Sequence, residues 1–140
     1  MTPAGLVLGV DPGRSKAGFA VVDPGGGVVA RGIEAVEDLP ARLTQVLAGS
    51  TVDVIALGRG TNGRAVRGLL EGLGIPIYWV DEFETSRAAR SLYFVDHPPR
   101  GWRRLIPTGL QLPDGPVDDY AAIVIARRFL ARGVTPQPPN

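Results

Sequence analysis

Apolar residues fall in dense short runs near the amino terminus and in spaced, helical patterns after it. Leu6-Val-Leu-Gly-Val10 is apolar throughout and stops at Asp11-Pro12-Gly13, which predicts a strand buried on both faces and ended by turn residues. Ala17–Val22 reads as a second strand, Asp23-Pro-Gly-Gly-Gly27 as a tight turn and Val28–Ile33 as a third strand. From Leu39 to Leu47 the apolar residues Leu39, Leu43, Val46 and Leu47 recur at helical spacing, and Pro40 suits a first turn. Val52–Leu57 predicts a central strand. Gly63–Leu73 predicts a helix with Val66, Leu69, Leu70 and Leu73 along one side. A strand over Ile75–Val80 and a helix over Thr85–Phe94 follow. His97–Pro116 holds five prolines and three glycines, too many for regular structure, and reads as a long exposed loop. Val117–Ala131 predicts the last helix.

This order predicts an α/β fold: a mixed five-stranded sheet, an antiparallel meander of three strands plus two parallel strands, flanked by helices. At 140 residues the length suits one domain, taken to span residues 1–134, with a flexible Pro-rich tail over 135–140. No apolar run approaches the roughly 18 residues of a membrane span, so no membrane partner is expected. The first residues lack the basic region of a signal peptide, and a cytoplasmic location is the default expectation. With no cysteine, a disulfide framework and a thiolate zinc site are both excluded.

The candidate chemistry lies in acids at the ends of elements. Asp11 ends the first strand, Asp81 and Glu82 follow the strand Ile75–Val80, and Asp118 and Asp119 open the last helix. Each has an ordinary structural use: an Asp-Pro-Gly turn, acids favouring a helix dipole, and an N-cap. Three such positions in this order point instead to an oxygen-rich cluster for a pair of divalent ions, Mg²⁺ or Mn²⁺. In such a site one ion activates the attacking water and the other steadies the leaving oxygen of a phosphodiester. No nucleophilic serine or cysteine is then needed. His97, the sole histidine, falls in the Pro-rich loop and is expected to be exposed rather than catalytic.

These motifs resemble a known family. Leu8-Gly-Val-Asp11-Pro-Gly-Arg-Ser-Lys-Ala-Gly18 resembles the first-strand motif of the RuvC/YqgF-type nucleases of the ribonuclease H-like superfamily. Val54-Ile-Ala-Leu-Gly58 and the glycine-rich turn after it resemble the fourth-strand region of the YqgF branch. Asp81-Glu82-Phe83-Glu84-Thr85-Ser86 is similar to that branch's Asp-Glu-Arg-Leu-Thr signature, and Val117-Asp118-Asp119-Tyr120-Ala121-Ala122 to its closing Asp-x-x-Ala-Ala helix. The resemblance covers nearly all of residues 5–131. It implies a ribonuclease H-like fold and a metal-dependent nuclease with Asp11, Glu82 and Asp118 as catalytic carboxylates and metal ligands. It also implies a role in maturing the 16S ribosomal RNA precursor or, as in relatives, in resolving Holliday junctions during DNA repair and recombination. Two departures stand out: Phe83 replaces the signature arginine, and Asp119 stands where a small polar residue is common. Either Asp118 or Asp119 could therefore be the metal ligand.

The net charge of +1 says little, but fourteen of the fifteen basic residues are arginine, Lys16 being the exception. Arginine grips phosphate bidentately, which suits a nucleic-acid partner, although a GC-rich genome gives the same bias. Arg14 and Lys16 follow Asp11, while Arg59, Asn62 and Arg64 surround the turn after the fourth strand. Arg87 follows Glu82, and Arg100, Arg103 and Arg104 flank Trp102 in the long loop. Arginines interleaved with an aromatic suit a strand gripped by its phosphates and stacked on its bases. RNA and branched or single-stranded DNA remain open as partners, and so do monomer and homodimer. Arg127, Arg128 and Arg132 read as a solvated helix face.

Two other classes compete. Gly58-Arg-Gly60-Thr-Asn-Gly63 is a literal G-x-G-x-x-G between a predicted strand and helix, with Asp81 about 20 residues on, the dinucleotide-binding pattern. Its place after an antiparallel meander argues against that reading. A catalytically inactive nucleic-acid-binding scaffold of the same fold is the second alternative.

Overall fold

The computed structural model describes residues 5–60, 62–81, 85–98, 101, 105 and 118–132, with residues 85–87 and 132 through their backbone alone. Five strands form, β1 (Leu6–Asp11), β2 (Lys16–Val22), β3 (Val28–Ala35), β4 (Val52–Gly58) and β5 (Ile77–Val80). The helices are α1 (Leu39–Leu47), α2 (Gly63–Leu70), α3 (Thr85–Asp96) and α4 (Asp118–Arg132). The strands join in one sheet of order β3-β2-β1-β4-β5. β1, β2 and β3 pair antiparallel, and β4 and β5 pair parallel beside β1, so the expected mixed sheet is the one observed.

β1 is central because its sequence can be buried on both faces. Leu6, Leu8 and Val10 point into a core with Phe19, Val21, Leu39, Leu43, Ile55, Leu57, Val66 and Leu70, under α1 and α2. Val7 faces the other way, into a core with Val22, Val54, Ala56, Val80, Tyr93, Phe94 and the buried side of α4. Each fully buried Leu or Val side chain contributes about 1.5–3 kcal/mol, so two covered faces hold this short strand firmly.

Asp23 builds the β2–β3 turn as its sequence suggests: its Oδ1 accepts the N–H groups of Gly25 and Gly27, each at 2.9 Å, and Gly26 takes φ 89°. Boundaries shift elsewhere. The helix expected to reach Leu73 is α-helical only to Leu70, then tightens into a 3-10 turn over Glu71–Leu73 that ends at Gly74 in the left-handed region. β5 consequently starts at Ile77, two residues late, after Pro76, whose carbonyl accepts the Ile55 N–H at 2.8 Å. Most of the expected long loop, and the tail expected from residue 135, lie outside the described residues. No helix among the described residues is long and apolar enough to cross a membrane.

Candidate active site

Because β1, β4 and β5 run parallel, Asp11, Gly58 and Val80 all lie at one end of the sheet. Alternation along β1 puts Val7, Gly9 and Asp11 on the face covered by α4, opposite to Leu8 and Val10. Asp11 is half-buried and pairs across the strands with Gly18.

Gly18 is where the second carboxylate arrives. A Cβ built there would run into the Asp118 carbonyl and come within 2.7 Å of the Asp119 N–H nitrogen. On the neighbouring strand, two residues before Asp11 and on the same face, a Cβ on Gly9 would run into the Ala122 carbonyl and approach Ala126 Cβ to 2.9 Å. The backbone of α4 therefore rests directly on two bare glycines. Ala122 and Ala126 keep its near side small enough for that approach. The consequence is positional: the first turn of α4 is pressed against the cross-strand partner of Asp11, on the face that Asp11 shares.

The neighbouring aspartates of that turn are engaged differently. Asp119 accepts the Tyr120 N–H at 3.1 Å and forms an ion pair with Arg31 of β3, Nε to Oδ2 3.7 Å. Arg31 also reaches Asp96 at 3.5 Å and lies 4.7 Å above the Tyr120 ring, while the Tyr120 hydroxyl donates to Asp96 at 2.8 Å. Burial raises the Tyr120 hydroxyl above its usual range, and the bond to Asp96 adds to it, outweighing Arg31. Desolvation works against the charge of Arg31, but Tyr120, Asp119 and Asp96 together hold its pKa above the ordinary value. Arg31 thus stays cationic and Tyr120 neutral, so the network that holds Asp119 keeps its charges. Among the described residues no hydrogen bond or ion pair reaches the Asp118 carboxylate.

The Asp118 backbone is brought onto the cross-strand partner of Asp11; Glu82 lies outside the described residues, directly after the exposed Asp81 that follows β5. Among the described residues alone, no group of three His, Asp or Glu side chains could hold a metal ion. The two described carboxylates supply hard oxygen donors, the chemistry that Mg²⁺ and Mn²⁺ prefer.

Of the basic residues expected to grip a substrate, Arg14, Lys16, Arg59 and Arg64 are exposed and cluster around this end of the sheet. The Asn62 amide donates to the Gly13 carbonyl at 2.9 Å, tying the turn before α2 to the turn that follows Asp11. The side chain of Arg87 and all of Arg100, Trp102, Arg103 and Arg104 fall outside the described residues. Arg127 and Arg128, expected on a solvated face, act as ties, Arg127 Nε donating to Gly26 O at 2.9 Å and Arg128 reaching Asp81 O at 3.5 Å. His97 is exposed, its ring stacked on Tyr93 at 4.3 Å.

Three parts of this site escape sequence reasoning. Docking on Gly9 and Gly18 is hinted at only by the small Ala121 and Ala122. The Arg31–Asp96–Tyr120 network joins residues from three distant segments and leaves no pattern. Trp79 reads as one more strand residue, yet its ring stands beside the Gly58–Gly63 turn, 3.0 Å from where a Cβ on Gly63 would lie.

By sequence, no protein-family model matches the chain, and neither does any curated protein. Solved structures do match. T. thermophilus RuvC in complex with Holliday junction substrate superposes with a TM-score of 0.62 at 19% identity, covering 96% of this chain and 99% of that one. The fold is RuvC-like. A second structure of Thermus thermophilus RuvC gives 0.60 at 21% identity with the same coverage. The agreement runs the full length of both chains, so the ribonuclease H-like architecture expected from the motifs is the one observed.

Proposed function

We propose that this RuvC-like chain is a metal-dependent nuclease that hydrolyses phosphodiester bonds of structured nucleic acid. The observation that carries the reading is the seating of the α4 backbone on Gly18, the cross-strand partner of Asp11, which brings the first turn of α4 to the carboxyl end of β1. Two carboxylates at the end of the sheet's central strand, one of them without a protein partner among the described residues, are poorly explained by stability. Buried or half-buried charges are normally paired or coordinate metals. Asp11, Glu82 and Asp118 would hold the ions. Divalent metal, when bound, supplies Lewis-acid stabilisation of the phosphoryl oxygens and an activated water.

The chain's own residues do the rest. Arg14 and Lys16, exposed just beyond Asp11, grip the backbone phosphates and hold the scissile bond over the carboxylates. Arg31 and Tyr120 fix the first turn of α4 through Asp119 and Asp96, and so fix the direction of Asp118. Two substrate classes follow from the likenesses: branched DNA, bound by the RuvC structure of matching length, and the 16S ribosomal RNA precursor, the substrate implied by the YqgF-like motifs.

The test is cleavage of a labelled four-way DNA junction, structured RNA and single-stranded DNA with Mg²⁺ or Mn²⁺, comparing the native protein with Asp11→Asn. Cleavage that needs metal and disappears in the variant is the expected result. The loss should exceed the roughly 10–100-fold that follows removal of an outer-shell partner of a metal ligand. Binding of the same substrates without cleavage by either protein would replace the nuclease with a scaffold of the same fold.

A further inference from the structure

On the sheet face opposite to Asp11 and Asp118, but at the same end, Arg59, Gly60, Gly63, Arg64 and Trp79 line a cavity of about 210 Å³. Trp79 pairs with Leu57 across the strands and so lies on the α1–α2 face, partly exposed at the sheet edge. The Arg59 guanidinium carbon stands 5.8 Å from its ring centroid, within cation–π range. Arg64 brings a second exposed guanidinium. None of the described lining residues is acidic. Gly63 is needed for the shape: a Cβ there would press on Trp79 Cζ3 and Cη2 at 3.0 and 3.3 Å.

A flat aromatic wall and two exposed guanidinium groups select a planar ligand that carries negative charge. A nucleotide unit fits that description; an apolar peptide does not. The volume is below the roughly 300–1,000 Å³ that encloses a drug-sized ligand, so one base with its phosphate fits and a whole dinucleotide is not enclosed. Of the literal G-x-G-x-x-G, Gly60 and Gly63 line this cavity. Through Asn62 and Gly13 the cavity is braced against the turn that begins at Asp11. Laterally it lies two strand spacings from β1, about 10 Å. We propose that this cavity is a subsite for one unpaired base of the nucleic-acid strand, stacked on Trp79 with its phosphate between Arg59 and Arg64. The inference rests on the nucleic-acid reading above and adds a second contact point beyond the carboxylates.

The chain has two tryptophans, so Trp102→Phe leaves Trp79 as the sole indole reporter. This protein is titrated with a 12-residue oligo(dT) in EDTA, where nothing is cut, while anisotropy of a labelled copy reports binding independently. Quenching of Trp79 that saturates together with the anisotropy is expected. Arg59→Gln, a change at an exposed position, should weaken both signals. Trp79→Leu should weaken anisotropy-detected binding about five- to a hundredfold, the range for loss of one stacked base. Binding without quenching, undiminished by Arg59→Gln, would overturn the subsite and leave the nuclease standing, since the Asp11→Asn comparison reads that separately. Equal quenching by AMP and by the oligonucleotide at matched concentration would overturn it in favour of a free-nucleotide site, and absence of any binding would overturn it outright.

Discussion

Asp118 and Asp119 are adjacent acids in one helical turn, and the surroundings give them different tasks. Asp119 is spoken for by Arg31 and by the Tyr120 N–H, whereas Asp118 has no such partner among the described residues. The Arg31–Asp119 pair is partly open to solvent, 40% and 15% exposed, so its contribution to stability is about 1 kcal/mol or less. Its value lies in orientation. Asp118→Asn should therefore abolish cleavage, while Asp119→Asn and Arg31→Gln should lower it about 10–100-fold, as outer-shell changes do. The half-saturating Mn²⁺ concentration separates the roles: it should rise modestly in Asp119→Asn, and no added metal should restore Asp118→Asn. If Asp119→Asn proves the more damaging, the ligand and the positioning residue exchange places. Sequence could not make this distinction, because both residues are acids at the same helix start and Arg31 is some 90 positions away.

At the scale of elements, α4 is both the largest cover of one sheet face and the carrier of Asp118, and two missing side chains allow both. Gly18→Ala puts a methyl where the Asp118 carbonyl now rests, and backbone cannot yield as a flexible side chain would. Overpacking of this kind costs typically 1–3 kcal/mol, to be read as a lower urea midpoint. The activity loss should be larger than stability alone accounts for, since displacement of a reacting group by 1 Å can cost about a hundredfold. Gly49→Ala is the control: nothing lies within 4 Å of its added Cβ, and neither readout should move. The elements themselves were legible. Unbroken apolarity marked β1 as central, and Asp23 with its glycines marked the hairpin. The docking was not, because a glycine in a strand takes its meaning from a helix about a hundred residues later. The end of α2 is not legible either, since Leu73 continues the helical spacing while the chain is already tightening toward Gly74.

Over the whole molecule, fifteen basic and fourteen acidic residues nearly cancel, so any pull on nucleic acid must come from where the charges lie. Composition leaves the arginine bias ambiguous; the fold sets the exposed Arg14, Lys16, Arg59 and Arg64 around one end of the sheet. Arg42, by contrast, pairs with Glu34 at 3.8 Å and lies across the Phe19 ring, which marks it as a structural arginine on α1. Counterion release turns this into a measurement. For a single strand, log K falls against log salt with a slope of about −0.7 per phosphate contacted. Replacing Arg14 and Lys16 together with glutamine should make that slope shallower by about 1.4, and Arg42→Gln should leave it unchanged. Both proteins shed positive charge, so a response to net charge alone would appear in Arg42→Gln as well. A slope that changes only in the Arg14/Lys16 protein ties the electrostatics to the end of the sheet that carries Asp11 and the first turn of α4, and makes substrate grip and bond cleavage properties of one surface.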